Sequence, residues 1–155
     1  MTFTVRKAEE ADVAALVPLF AAYLTFYERP APLKDIRAFL AERLQHREAV
    51  ILLLEQQGKM LGFALLYPFF ASLQLSPAWL LHDMYVDSSV RRQGVGKTLL
   101  QAVRKQAEAS GACGVQLETA HSNFAAQGLY EQLGFVRDEE FFTYWLALPP
   151  AMAEE

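Results

Sequence analysis

One stretch limits what this chain can fold into more than any other. Trp79 to Val86 reads as a strand, and the mostly polar residues Asp87 to Gln93 follow it. Gly94 and Gly96 then open an amphipathic run with Leu99, Leu100, Val103 and Ala107 on one face, stopped at Gly111. A strand feeding a helix through a glycine-bearing loop is a unit of an α/β layered sheet. In such a turn the unencumbered backbone N–H groups point outward at the positive end of the helix, where an anion is favoured. Arg91, Arg92 and Lys97 add charge there. Taken alone, Gly94 and Gly96 would do no more than shape a tight turn.

The flanking segments complete the pattern. Phe3 to Arg6 reads as a short strand. A helix opens at Glu9–Asp12 and carries Val13, Leu16, Val17, Phe20 and Leu24 at helical spacing. A polar turn around Pro30 and Pro32 leads to a second helix, from Leu33 to about Arg47, with Ile36, Phe39, Leu40 and Leu44 on one stripe. Val50–Leu54 is continuous and apolar, as in a strand covered on both faces. Gln56–Lys59 reads as a hairpin turn and Met60–Phe70 as the return strand. After the glycine-loop helix, Gly114–Thr119 reads as a strand, Asn123–Leu133 as a helix ended by Gly134, and Phe135-Val136 with Phe141–Leu148 as a last pair of strands. The order predicts one α/β domain over residues 1–150, followed by a short acidic tail at 151–155.

The bulk numbers exclude several classes. With 155 residues, one core is expected. A formal charge of −4 disfavours a nucleic-acid partner, which calls for a basic face. The single cysteine, Cys113, rules out an intrachain disulfide framework and reads as a small hydrophobe. The longest apolar stretch, Met60–Phe70, is interrupted by Pro68 and too short for a membrane span. The segment Met1–Glu10 does not read as a signal peptide, so a cytoplasmic protein is expected. No metal site is expected.

Two phosphate-binding patterns fail on inspection. A P-loop ending in Gly96-Lys97-Thr98 would need glycine at 91, which is arginine. A dinucleotide fingerprint would need glycine at 99, which is leucine. The pattern R/Q-x-x-G-x-G/A is satisfied by Arg91, Gly94 and Gly96. With Asp83-Met84-Tyr85-Val86 before it, Val5–Asp12 at the start, and Asn123, Ala126, Tyr130 and Leu133-Gly134-Phe135 near the end, the chain resembles the GNAT superfamily of acetyl-CoA-dependent N-acetyltransferases. Leu81–Val86 and the aromatic group Tyr23, Phe26 and Tyr27 are similar to the diamine (spermidine/spermine-type) members, which carry glutamate where this chain has His82.

The resemblance implies a GNAT fold, with a mixed, mostly antiparallel twisted sheet of about seven strands and helices on both faces. It implies acetyl-CoA as co-substrate, held by Met84, Tyr85, Val86, the loop Arg91-Arg92-Gln93-Gly94-Val95-Gly96, Lys97, Asn123, Ala126 and Tyr130. It implies a small-molecule amine as acceptor, with no membrane partner, and a homodimer. Tyr130 is placed to protonate the departing thiolate, against the plainer reading of a core aromatic. A backbone N–H near Met84–Val86 is placed to hold the oxyanion. The base stays open. On a regular strand His82 would share a face with Met84 and Val86, and an imidazole of ordinary pKa about 6.5 accepts a proton directly or through water. Glu118 competes with it, as does water alone. Tyr27, His82 and Glu118 are the candidate acceptor contacts. A protein lysine or N-terminal acetyltransferase, or a silent acetyl-CoA sensor, would share the same core.

Overall fold

The computed structural model describes residues 2–150, so the acidic tail expected at 151–155 lies outside the described residues. The chain divides into two compact units, one running to Glu118 and the other beginning at Thr119.

The first unit is built on a five-stranded sheet in the order β1-β2-β3-β4-β5. The strands are β1 (Thr4–Lys7), β2 (Val50–Gln56), β3 (Lys59–Ala71), β4 (Ser76–Val86) and β5 (Val115–Leu117). All neighbours are antiparallel except β4 and β5, which are parallel. Parallel neighbours need a crossover, and here it is the helix α3 (Val95–Ala109). Helices α1 (Val13–Phe26) and α2 (Leu33–Gln45) lie between β1 and β2 in sequence.

Alternation along the strands sorts the core into two layers. Ile51, Leu53, Phe63 and Leu65 form one cluster with Val13, Leu16, Val17 and Phe20 of α1 and Ile36 and Leu40 of α2. Leu52, Leu54, Ala64 and Leu66 point the other way and are equally buried, as are Val95, Leu99, Leu100, Val103 and Ala107 of α3. The sheet thus has helices on both faces. The stripe expected on α2 is interrupted at Phe39, which is exposed and has the Arg43 guanidinium over its ring at 4.6 Å.

Local chemistry sets the boundaries. Before α1, Asp12 accepts from the Glu9 amide at 2.7 Å in a capping box. Arg6 bridges Asp12 and Glu55, both at 2.7 Å, which ties β1 to β2 and to the helix start. Gln57 (φ 52°) and Gly58 (φ 76°) give consecutive positive φ values between the paired Gln56 and Lys59, the form a two-residue hairpin prefers. The β3–β4 ladder runs out to Ala71–Ser76. The segment after Phe69 is therefore a long hairpin, with Phe70, Leu73 and Leu75 exposed near its tip.

In the second unit, α4 (Phe124–Gln132) forms as expected. Asn123 caps it by accepting from the Ala126 amide at 3.2 Å, and Gly134 (φ 98°) follows its C-terminal end. The two strands expected at Phe135-Val136 and Phe141–Leu148 are not formed, so the sheet has five strands among the described residues rather than about seven. Aromatic and β-branched composition favours a strand only where a partner edge accepts it. Here Asp138 takes up the amides of Glu140 (2.9 Å) and Phe141 (3.3 Å) in a turn, and Phe141 to Leu148 carry no ladder.

Candidate active site

The glycine loop lies between β4 and α3. Asp87 caps the short turn Ser88–Val90, accepting from the Ser89 amide at 2.9 Å and its hydroxyl at 2.6 Å. These bonds, the hydroxyl first, hold the Asp87 carboxyl below the usual carboxylate range. Arg92 (φ 67°) and Gly94 (φ 72°) are both left-handed, and Gly94 is the N-cap of α3. Thr98 makes the bond to the Gly94 carbonyl at 3.1 Å. The amides of Val95, Gly96 and Lys97 therefore belong to the first turn, ahead of the i→i−4 ladder. A Cβ built on Gly94 meets no atom within 4 Å, so the loop is open where an anion would approach. The Val95 side chain is buried in the core, which leaves only its amide for binding. These features fit a pyrophosphate.

Arg91 is placed differently from a simple flanking cation. Its guanidinium stands 5.5 Å from the ring centroids of both Phe26 and Tyr85, and its Nε donates to the Val86 carbonyl at 3.3 Å. Tyr85 and Phe26 belong to an aromatic group centred on Tyr23, whose ring lies 5.2 Å from Tyr27, 5.5 Å from Phe63 and 6.0 Å from Tyr85. Tyr27 sits at the exposed rim, just after α1 ends.

The strand β4 is not regular at His82. Leu81 pairs with Leu66 and Asp83 with Leu65, so His82 has no opposite number on β3. A one-residue bulge re-aims the side chains around it. The face that His82 was expected to share with Met84 and Val86 is thereby lost. His82 Nδ1 instead lies 2.8 Å from Asp83 Oδ2, and its ring is 5.5 Å from that of Tyr67. Adjacent side chains of a regular strand point to opposite faces, so this pairing exists because of the bulge. The other oxygen, Asp83 Oδ1, accepts from Tyr23 Oη at 2.6 Å. Burial first, and Asp83 second, push the Tyr23 phenol well above the ordinary tyrosine range. Tyr67 is raised in the same direction, chiefly by burial. In the sequence Asp83 stands out only as part of the motif Asp83-Met84-Tyr85-Val86, with no role of its own.

β5 pairs only with Trp79–Leu81 of β4. Within the first unit, Met84, Tyr85 and Val86 thus have β3 on one side and no ladder on the other. Glu118, the last residue of that unit, is exposed just beyond β5. In the second unit, Tyr130 lies on α4 with its ring 5.9 Å from that of Phe135. Asn123 has a structural duty as the cap that reaches the Ala126 amide. Among the described residues no group of three or more His, Cys, Asp or Glu is arranged to hold a metal. None of the described helices is long and apolar enough to cross a membrane.

Residues 15–135 match the Acetyltransferase (GNAT) family. The chain belongs to that family. It is 39% identical over 145 residues to an uncharacterized N-acetyltransferase, YhfO, of Bacillus subtilis, a match spanning 94% of this chain and 97% of the relative. It is 39% identical over 82 residues to the [ribosomal protein bS18]-alanine N-acetyltransferase of Escherichia coli, with 53% of this chain and 51% of that one covered. A crystal structure of a probable acetyltransferase superposes with a TM-score of 0.89 at 36% identity, covering 96% of this chain and 99% of the other. The protein is thus an acyltransferase of the GNAT family, whose co-substrate is acetyl-CoA. The diamine enzymes are not among these relatives.

Proposed function

We propose that this GNAT protein moves an acetyl group from acetyl-CoA to the primary amine of a small polyamine-like or amino-acid-like molecule, by direct transfer in a ternary complex. The observation that carries this reading is the His82–Asp83 pair on the bulge of β4, with the aromatic group Tyr23, Tyr27 and Tyr85 beside it. Ring faces suit an ammonium, and the exposed imidazole can take its proton. An amine of ordinary pKa about 10.4 must lose that proton before it can attack. The first-turn amides of α3 suit the coenzyme pyrophosphate, and the backbone of Met84–Val86 suits the pantetheine arm and the oxyanion. Tyr130 is the proposed donor to the leaving thiolate, and Glu118 an acceptor contact.

The similarity to an enzyme of ribosomal protein alanine favours a second reading, acetylation of a protein N-terminus. Release of free thiol from acetyl-CoA distinguishes the two, measured with a panel of polyamines, amino acids and short peptides. Small amines are expected to turn over at least tenfold faster, in kcat/KM, than peptides of free N-terminus. The reverse order would favour the protein substrate.

The protein is further proposed to be a homodimer in the cytoplasm. Phe141, Phe142, Tyr144, Trp145 and Leu146 are all exposed in the single chain, a row of large apolar side chains that a second copy would cover. Light scattering is expected to give twice the 17.4 kDa of one chain. A monomer at micromolar concentration would refute the dimer.

A further inference from the structure

The bulge places two neighbouring side chains on one side of β4 and leaves each with a distinct task. His82 is 57% exposed at its side chain and Asp83 only 12%. The imidazole thus meets solvent and incoming molecules, while the carboxylate is enclosed. Both oxygens of that carboxylate are engaged, Oδ1 by Tyr23 Oη at 2.6 Å and Oδ2 by His82 Nδ1 at 2.8 Å. Tyr23 is in turn held by the rings of Phe20, Phe63 and Tyr85, so the anchor does not swing.

We propose that Asp83 is a positioning residue, whose carboxylate, pinned by the Tyr23 hydroxyl, keeps the imidazole proton of His82 on Nδ1 and leaves Nε2 as the basic atom facing the acceptor amine. An ionised carboxylate can only accept hydrogen bonds, so the imidazole nitrogen against it must be the one that carries hydrogen. The neutral ring has one such nitrogen, and the lone pair is then on Nε2. In the reaction, Nε2 takes one proton from the ammonium, giving an imidazolium with hydrogen on both nitrogens and an amine with a free lone pair. The amine nitrogen attacks the thioester carbon, and the tetrahedral adduct collapses with cleavage of the C–S bond. The departing CoA thiolate takes a proton from its donor, which the nitrogen's second proton replaces. Nε2 then returns its own proton to water. The carboxylate also stabilises the transient cation, without itself being protonated.

The groups facing the pair are few. Tyr23 approaches from α1 and Tyr67 from β3, with Arg43 and Glu48 acting on Tyr67. The β5 residues Val115, Gln116 and Leu117 contribute no charge. Asp83 is therefore the one anion in contact with the imidazole among the described residues.

This inference rests on the amine-acetyltransferase reading for its catalytic consequence, but the tautomer can be observed without any substrate. The test is ¹⁵N NMR of the three histidines at a pH where the rings are neutral, with His82→Ala to assign the signal. The wild-type protein should show hydrogen on Nδ1 of His82. In Asp83→Asn, Tyr23 keeps hold of the amide oxygen, so the NH₂ group faces the imidazole and donates to it. The proton should then move to Nε2, and the lone pair is turned away from the amine. For the amine that turns over best, kcat should fall about 10²-fold or more near neutral pH, with KM for acetyl-CoA unchanged. The deficit should shrink as pH approaches the amine's own pKa of about 10.4. Tyr23→Phe keeps the carboxylate and should give a smaller fall in kcat with the tautomer retained.

Hydrogen on Nε2 in the wild type would overturn the proposal, even if Asp83→Asn failed to fold. So would an inverted tautomer in Asp83→Asn with wild-type kcat at every pH. If the tautomer behaves as expected while the wild-type protein acetylates no amine, the substrate reading fails and the hold of Asp83 on His82 stands.

Discussion

Gly94→Asp should weaken binding of acetyl-CoA on the order of 10²-fold or more, because like charges brought together at a binding surface cost several kcal/mol and each 1.4 kcal/mol is tenfold. Gly94 is the N-cap of α3, its φ is +72°, and a Cβ there projects into open space. Substitution therefore disturbs no packed neighbour, and the effect falls on whatever occupies that space. Aspartate and asparagine both tolerate the left-handed region better than most residues. Gly94→Asn thus carries the same bulk and nearly the same backbone cost without the charge. Calorimetric titration of the two variants with acetyl-CoA separates repulsion from crowding. The asparagine variant should lie between wild type and aspartate. Unchanged affinity in a folded Gly94→Asp protein would remove the basis for placing the coenzyme pyrophosphate at this loop.

Most of the first unit was legible in the sequence because its signals are local and agree with one another. Val13, Leu16, Val17 and Phe20 repeat at helical spacing and are the residues α1 buries. Gln57-Gly58 supplies the two positive φ values of a tight hairpin, and Gly111 (φ 75°) follows the helix it was expected to end; in the second unit Gly134 does the same. What was not legible depends on how a segment meets a second strand. Nothing in Leu81-His82-Asp83-Met84 announces a bulge, since no glycine or proline marks it. The shift becomes visible only when β4 is laid against β3. Strict alternation then puts His82 on the wrong face and gives Asp83 no role. The Phe141–Leu148 segment fails in the opposite way. Its composition is strongly strand-like, but pairing is a property of two edges, and among the described residues Phe141–Leu148 join no ladder. The role that the family resemblance implies for Asn123 is a separate matter, and its side chain also has a local use as a helix cap.

Tyr130→Phe should lower kcat by about 10²–10⁴-fold, the usual worth of a positioned general acid, while acetyl-CoA affinity changes little. The ring contact between Tyr130 and Phe135 is made by the aromatic body of the side chain, so phenylalanine preserves it and the helix it braces. Only the hydroxyl is removed, and on this reading its proton is needed only once the thiolate is leaving. The decisive comparison uses the leaving group. A simple thiol has a pKa near 8.5 and leaves more readily when protonated, whereas an aryl thiol is far more acidic and departs without help. An acetyl thioester of an aryl thiol, used at saturating amine, should therefore shrink the deficit of Tyr130→Phe by tenfold or more relative to acetyl-CoA. If Tyr130 were merely a packed aromatic, the variant would keep wild-type kcat with both donors. If it merely bound the coenzyme, the loss would appear in KM for acetyl-CoA and not in kcat. A kcat deficit that is large with acetyl-CoA and small with the aryl donor is the pattern only a proton donor to sulfur produces.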